Sequence, residues 1–214
     1  MDFTYLIEHW RRVLDLGIDH LEISASAMAI AIVIAIPIGV LAARIRPLTL
    51  PILGVLGALY TVPSLAFLAF LIPSLGLGRK PAIVVLVTYA QIFLVRNVVA
   101  GLRGVNRDTL EAARGLGMTG WQVFRKIQWP LALPVVLAGI RTAFVTTISL
   151  TTITQWINAG GLGRLLFDGL TRLYSSEILA GAIAITALAL LVDAVLRAFE
   201  RFTAVSRANR AVRR

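Results

Sequence analysis

The chain contains five apolar stretches of about twenty residues or more, and these limit its possible folds more than any other feature. They cover residues 21–43, 51–72, 81–101, 131–154 and 177–196. A helix rises about 1.5 Å per residue and the hydrocarbon core of a bilayer is about 30 Å thick, so about twenty apolar residues make one crossing. Only 15% of the residues are charged, against about 25% in an ordinary soluble domain. The sequence therefore predicts an all-α, polytopic integral membrane protein with about five transmembrane helices.

The crossings and their connections occupy most of the 214 residues, which leaves no room for a second globular domain. We expect one transmembrane domain over residues 21–200, an amino-terminal segment over residues 1–20 and a basic tail over residues 201–214. In the amino-terminal segment, apolar residues recur at helical spacing between charged ones. This pattern predicts an amphipathic helix on the outer membrane surface, and it is equally typical of a helix that only packs on the bundle. Asp2 and Glu8 stand where a signal peptide would be basic, so we expect the first crossing to direct insertion.

The distribution of Lys and Arg predicts the orientation in the membrane. The net charge of +10 could indicate a nucleic-acid-binding protein. Most Lys and Arg residues, however, lie in segments that are predicted to be on the same side of the membrane as residues 102–130. The positive-inside rule then places this segment and the carboxyl terminus in the cytoplasm, and the amino terminus outside. We expect the tail from Arg207 to Arg214 to contact anionic lipid headgroups and not nucleic acid.

Residue types that support metal, redox or nucleotide chemistry are scarce. The chain has no cysteine and two histidines, His9 and His20, so we expect no disulfide and no metal site. No G-x-x-x-x-G-K-[ST] motif occurs, which excludes ATP binding by a P-loop. We therefore assign no catalytic residue and no cofactor to this chain, and we expect it not to be an enzyme.

A polar insert, residues 102–130, separates the third and fourth crossings. Asp108 is expected to cap a helix from Thr109 to about Gly115. Thr119 and Gln122 stand in the positions of a second capping box, and Pro130 is expected to end that second helix. The sequence thus predicts two short helices at the cytoplasmic surface.

Within this insert, residues 111–130 read EAARGLGMTGWQVFRKIQWP, which resembles the EAA loop of ABC importer permeases. That loop docks the cytoplasmic ATPase subunit, and the resemblance rests on Glu111, Ala112, Ala113, Gly117, Ile127 and Pro130. The small Ala112 and Ala113 would offer a flat contact surface, and neighbouring charges could pair at its rim. Trp129 stands where the family usually has leucine. The resemblance implies a permease subunit driven by a separate ATPase that binds ATP and Mg²⁺.

Three further segments are similar to the osmoprotectant permeases, which import glycine betaine, carnitine or choline. They are residues 60–78, YTVPSLAFLAFLIPSLGLG; residues 131–143, LALPVVLAGIRTA; and residues 158–163, NAGGLG. The similarity covers roughly residues 20–200. It implies the type I, methionine-importer-like fold in a bacterial-type inner membrane. It also implies a second permease subunit, identical or paralogous, and an extracytoplasmic substrate-binding protein.

A quaternary ammonium group donates no hydrogen bond and is held mainly by aromatic faces. The candidate substrate-path residues are therefore Tyr60, Phe67, Tyr89 and Trp156, with Asn158, although aromatic residues in membrane proteins also serve as core or interface anchors. Gly160, Gly161 and Gly163 permit positive φ and close backbone approach, which is typical of a re-entrant turn or gate at the outer mouth, or of a tight turn without substrate contact. Asn158 replaces a usual glycine, so methionine or another amino acid stays an alternative ligand.

Ionisable residues inside the crossings are few, and we single out Arg96, Arg141 and Asp193. Arg141 and Asp193 could form a buried structural pair or couple transport to an ion. An ion-coupled secondary carrier is expected to have more ionisable sites at the midplane. The sequence therefore favours an ATP-driven importer over a secondary carrier or a scaffold that transports nothing.

Overall fold

The computed structural model describes residues 4–202, which are almost entirely helical and contain no strand. The α-helices are α1 (Thr4–Glu8), α2 (Trp10–Arg44), α3 (Arg46–Thr61), α4 (Ser64–Leu75), α5 (Arg79–Arg103), α6 (Arg107–Gly115), α7 (Gly120–Val123), α8 (Trp129–Thr154), α9 (Gly163–Thr171) and α10 (Ser175–Phe202). A π-helix (Phe124–Gln128) joins α7 to α8, and a 3₁₀ turn (Gln155–Ile157) follows α8. The expectations for Arg207–Arg214 lie outside the described residues.

Within the described residues, four helical stretches are long and apolar enough to cross a membrane, namely Trp10–Arg44, Arg79–Arg103, Gly120–Ile157 and Ser175–Arg201. The bent pair α3 and α4 brings the number to five if it counts as one span. This confirms the predicted all-α fold of about five crossings. The amino-terminal segment divides at His9, and from Trp10 it continues without a break into the first crossing.

Helix α5 occupies the centre of the bundle and packs mainly against α2 and α8. Small residues make these approaches close: a Cβ added at Gly39 would lie 2.6 Å from the Cβ of Val98, and one at Gly139 would lie 2.3 Å from the Cβ of Asn97. Such contacts suit membrane helices, whose association depends on close packing because lipid is as apolar as the side chains.

The second apolar stretch does not form the continuous helix that we predicted over residues 51–72. Helices α3 and α4 meet at 91° around Val62 and Pro63. Proline disfavours helical conformation in the residue before it, and Val62 is extended with ψ of 129°. The hydroxyl of Tyr89 donates a hydrogen bond to the Val62 carbonyl, which satisfies one acceptor at the break.

The polar insert contains the two predicted short helices, with corrections at two of their ends. Asn106, and not Asp108, caps α6, because its side-chain oxygen accepts the Asp108 N–H at 2.8 Å. Helix α6 accordingly begins at Arg107, two residues before the predicted start. The capping box of Thr119 and Gln122 is confirmed.

The prediction that Pro130 ends the second helix is wrong, because α7 runs through the π-helix directly into α8. The Trp129 N–H bonds to the Phe124 carbonyl, five residues back. Proline lacks an N–H and clashes with the carbonyl four residues back in an α-helix. The wider π turn just before Pro130 accommodates that defect, so the helix continues.

Candidate functional site

The polar insert, residues 102–130, which we call the docking loop after its predicted role, lies at the end of the bundle where α5 ends and α8 begins. Glu111, Ala112 and Gly117 are exposed, whereas Ala113 is only 5% exposed and Ile127 and Pro130 are half-buried. Ala112 is therefore accessible at the surface of the loop, whereas Ala113 packs inside it. Glu111 has no cation within 4 Å among the described residues, and the ion pairs expected with a partner at the rim stay a prediction.

The docking loop is attached firmly to the transmembrane helices. Leu110, Phe124 and Trp129 pack on a core that includes Leu102 and Val136. The side-chain amide of Gln128 donates a hydrogen bond to the Leu102 carbonyl at 3.1 Å. These contacts join the loop to both α5 and α8, so displacement of the loop must move the helices with it.

Three of the five predicted substrate-path residues lie together around the break between α3 and α4. The ring centroids of Tyr60 and Tyr89 are 5.6 Å apart, and those of Phe67 and Tyr89 are 6.0 Å apart. Phe93, which sequence reasoning missed, adds a ring 5.3 Å from Tyr60. Tyr60 is 40% exposed, but Tyr89 is buried. Tyr60 is thus the accessible face of this aromatic cluster.

Trp156 and Asn158 lie in a different place, at the end of the bundle opposite the docking loop. The Trp156 side chain is 50% exposed and makes no ring contact with the aromatic cluster in the described structure. Asn158 adopts a left-handed conformation with φ of 58°, a region that asparagine tolerates better than most residues. The residue therefore fits the sharp turn that follows α8.

The glycine loop, residues 158–163, uses its three glycines in two ways. Gly160 and Gly161 have φ of 104° and 81°, values that favour glycine. Gly163 instead allows close packing, since a Cβ there would lie 2.2 Å from the Thr152 carbonyl oxygen. The positive φ and the close backbone approach that were predicted for these glycines are therefore both present.

The glycine loop is held by two residues of α2 that sequence reasoning missed, Asp19 and His20. The Gly161 N–H donates to Asp19 Oδ2 at 2.6 Å, and the Leu162 N–H donates to His20 Nδ1 at 3.2 Å. His20 Nε2 lies 2.9 Å from the Ile148 carbonyl oxygen. Since Nδ1 accepts a hydrogen bond, the neutral ring carries its proton on Nε2 and donates it to Ile148. We call Asp19, His20 and the glycine loop the outer clamp, after the side of the membrane on which the sequence predicts this end of the bundle.

The outer clamp leaves no space for side chains at its two central glycines. A Cβ added at Gly160 would lie 2.2 Å from Asp19 Oδ2, and one at Gly161 would lie 2.9 Å from His20 Nδ1. Arg79 at the start of α5 pairs with Asp19 and lies 3.7 Å from Glu22. The clamp thus joins α2, α5 and the end of α8. No local pattern could reveal it, because Asp19 and Gly161 are 142 residues apart.

A second polar network fastens the amino-terminal segment to α9 and α10. Glu177 is fully buried and accepts a hydrogen bond of 2.9 Å from the Tyr5 hydroxyl. Burial, and then this bond, raise the pKa of Tyr5 above its ordinary value. Arg12 bridges the two helices, with Asp168 at 2.9 Å and Glu177 at 3.5 Å. This part of the amino-terminal segment therefore packs on the bundle.

The predicted pair of Arg141 and Asp193 is confirmed, with 3.2 Å between Nη1 and Oδ1. Two further residues complete the group: Glu200 lies 3.1 Å from Arg141, and Arg197 lies 2.7 Å from Asp193. The alternating charges join α8 to α10 as a structural network. Residues 4–202 contain no group of three or more acidic or histidine side chains placed to hold a metal ion.

Comparison with known families identifies the family to which the chain belongs. Residues 35–205 match the family described as "Binding-protein-dependent transport system inner membrane component". The chain belongs to this family. The membership agrees with the long apolar helices and with the polar docking loop between two of them.

Curated relatives within the permease family match nearly the whole chain. The glycine betaine/carnitine/choline transport system permease protein OpuCB of Bacillus subtilis is 42% identical over 198 residues, which are 92% of this chain and 91% of that protein. The choline transport system permease protein OpuBB of the same organism is 41% identical over 183 residues, 86% and 84% of the two chains. These matches confirm the resemblance to osmoprotectant permeases.

Solved structures confirm the type I importer permease fold. An amino acid ABC transporter with histidines matches with a TM-score of 0.78 and 21% identity, over 94% of this chain and 98% of that one. An inward-facing MetNI methionine ABC transporter matches with a TM-score of 0.70 and 24% identity, over 84% and 92% of the two chains. At sequence identities below 25%, these matches show that the folds are alike.

Proposed function

We propose that this permease forms the translocation path of an ABC importer for a quaternary ammonium osmoprotectant such as glycine betaine, carnitine or choline. The 42% identity to OpuCB over 92% of the chain is the observation that carries this proposal. Its partners are a cytoplasmic ATPase that binds ATP and Mg²⁺, a second permease subunit and an extracytoplasmic substrate-binding protein. The amino terminus lies outside and the carboxyl terminus lies in the cytoplasm of a bacterial-type inner membrane.

The docking loop receives the ATPase through α6, with Glu111 and Ala112 at the contact. Gly117, with φ of 81°, makes the turn between the two short helices, and Ala113, Ile127 and Pro130 shape the loop from inside. Because Gln128 and the apolar contacts fix the loop to α5 and α8, closure of the ATPases would shift the transmembrane helices. The coupling is mechanical, and the bundle changes between two discrete arrangements.

The outer clamp acts as the gate in this proposal. Asp19 and His20 hold Gly161 and Leu162 against α2, and Gly163 holds the loop against the end of α8. Opening requires the two backbone N–H groups of the loop to leave their acceptors. A gate built from hydrogen bonds to a turn can open without unfolding a helix.

One face of α8 supplies the wall of the path. Thr142, Thr146 and Ser149 lie on this face at helical spacing, and Trp156 continues it at the outer end. Each hydroxyl donates its hydrogen to the carbonyl four residues back. The oxygen lone pairs thus remain available to a cation that has no donors. Tyr60 adds an aromatic face, while Phe67 and Tyr89 support it from behind.

The deciding experiment measures ATP hydrolysis by the complex reconstituted in proteoliposomes. Binding protein loaded with glycine betaine, carnitine or choline should stimulate hydrolysis, and methionine-loaded protein should not. The reverse pattern would assign the complex to amino acids. Solute accumulation by the permease alone under an ion gradient would instead support a secondary carrier.

The path itself is tested by Trp156→Ala in the same proteoliposomes. Each desolvated cation–π contact contributes about 2 kcal/mol, so loss of this ring should lower the maximal transport rate by about tenfold or more. The substrate concentration for half-maximal transport should change little, because the binding protein supplies the affinity. Trp10→Ala is the matched control, since Trp10 is also exposed (53%) but lies at the start of α2, outside the docking loop and the proposed path. An unchanged rate in Trp156→Ala would remove this residue from the path.

A further inference from the structure

An apolar groove with a basic end runs between α2 and the π-helix of the docking loop. Apolar side chains of α2 from Ile36 to Leu41 form one wall, and Phe124 and Trp129 form the other. Arg44 and Arg125 close the end next to the docking loop. The cavity has a volume of about 480 Å³.

The groove has the depth of one leaflet of a bilayer. From Ile36 to Arg44, α2 rises about 12 Å at 1.5 Å per residue. Half of the hydrocarbon core is about 15 Å thick. The apolar walls therefore extend along most of one acyl layer, and the two guanidinium groups lie where lipid headgroups begin.

The two arginines at this end have no anionic partner in the described structure. Neither Arg44 nor Arg125 has a carboxylate within 4 Å among residues 4–202. Arg44 instead lies over the Phe124 ring, 4.7 Å from its centroid, which fixes the guanidinium at the mouth of the groove. Many other arginines of this protein are paired with carboxylates: Arg12, Arg79, Arg141, Arg164, Arg172 and Arg197.

We propose that this groove binds one anionic phospholipid. Its acyl chain lies along α2, and its phosphate lies between Arg44 and Arg125. Guanidinium groups suit this role because their planar donors match phosphate oxygens and they are always charged. A bound lipid would contact the π-helix through Phe124 and the start of α8 through Trp129, and so stabilise the junction between the docking loop and α8. Only the assignment of the groove to the cytoplasmic leaflet rests on the proposed function.

The test uses Trp129 in the groove wall as a reporter. In the full-length chain, the other three tryptophans, Trp10, Trp121 and Trp156, are replaced by phenylalanine. The chain is reconstituted in phosphatidylcholine nanodiscs with increasing fractions of phosphatidylglycerol brominated on its acyl chains. Bromine quenches tryptophan fluorescence on contact, so a lipid in the groove should quench Trp129 at low mole fraction. Brominated phosphatidylcholine with the same acyl chains should need a higher mole fraction to quench Trp129 to the same extent.

The arginines should account for this selectivity. Near a membrane surface each basic residue strengthens binding of an anionic lipid by about fivefold, so Arg44→Gln should weaken it about fivefold and the double variant with Arg125→Gln about thirtyfold. Arg46→Gln is the matched control, because Arg46 is exposed two residues away and lies outside the groove. It should leave the quenching curve unchanged.

Three results would overturn the proposal. Equal quenching by the two headgroups would show no preference for an anion. An equal weakening of lipid binding in Arg46→Gln would mean that general surface charge, and not this groove, explains the effect. Absence of quenching by either lipid would show that protein, such as a second copy of the chain, fills the groove. No nucleotide or partner is present in this assay, so its outcome is independent of whether osmoprotectants stimulate ATP hydrolysis.

Discussion

Replacement of Asp19 by asparagine tests the outer clamp, because it removes the charge and keeps the shape of the side chain. Asp19 accepts the Gly161 N–H at 2.6 Å and pairs with Arg79. A hydrogen bond to a charged group contributes about 1 kcal/mol more than a neutral one. Arg79 is 53% exposed, so the ion pair adds at most about 1 kcal/mol. Asp19→Asn should therefore weaken the clamp by about 1 to 2 kcal/mol.

This change should raise the population of the open state about five- to thirtyfold, since 1.4 kcal/mol corresponds to a factor of ten. If the open state is the one in which the ATPases close, basal ATP hydrolysis without binding protein should rise. The assay is ATP hydrolysis by the reconstituted complex, with and without loaded binding protein. Stimulation by the binding protein should fall as the basal rate rises.

Two further variants separate opening of the clamp from general damage. Asp15→Asn is the matched control, because Asp15 is exposed one turn earlier on α2 and has no cation within 4 Å in the described structure. Ala159→Cys is a reporter of opening, since Ala159 is 3% exposed and the native chain has no cysteine. In the Asp19→Asn background this cysteine should react faster with an impermeant thiol reagent. Unchanged hydrolysis together with unchanged labelling would refute the clamp as a gate.

Three other predictions follow from the described contacts. Ala112→Arg should prevent co-purification of the ATPase, because the exposed contact of α6 must be small, whereas Ala112→Ser should preserve it; normal yield with Ala112→Arg would contradict the docking role. Leu116 and Leu173 are both highly exposed, 85% and 88%, and each can be replaced by cysteine. In intact cells an impermeant thiol reagent should label the cysteine at position 173 and not the one at position 116. The opposite result would reverse the orientation. Tyr89→Phe should lower thermal stability by about 1 kcal/mol, because the Val62 carbonyl loses its donor; Tyr60→Phe, whose hydroxyl has no partner in the described residues, should have no such effect.

The sequence predicted best those features that depend on neighbouring residues. The length of an apolar run decides whether a helix can cross a membrane, and a capping box needs only Thr119 and Gln122. The cap at Asn106 was missed because Asp108 is an equally good capping residue by type, and only the backbone decides between them. The break at Val62 was missed although Pro63 was visible, since proline is common in membrane helices that continue.

The contacts that organise the candidate gate could not be predicted, because they join residues that are distant in sequence. Asp19 and His20 precede the first apolar run and read as part of an amphipathic surface. Their partners, Gly161 and Leu162, lie in a glycine-rich segment that predicts a turn. The sequence does not indicate which residues bind that turn. Glu177 was not singled out, yet it is fully buried with Tyr5. A buried carboxylate of this kind is visible only when the three helices around it are in place.

The two candidate functional regions are joined by one continuous helical stretch. Residues Gly120–Ile157 run from the docking loop to the glycine loop over 38 residues, which is about 57 Å at 1.5 Å per residue. A tilt of about 10° around its midpoint would move each end by about 5 Å, comparable to one helical turn. The hydrogen bond between Gly161 and Asp19 cannot survive a shift of that size. In the proposed mechanism, closure of the ATPases at the docking loop would release the outer clamp at the other end if it produced a tilt of this size and the π-helix at Phe124–Gln128 transmitted it.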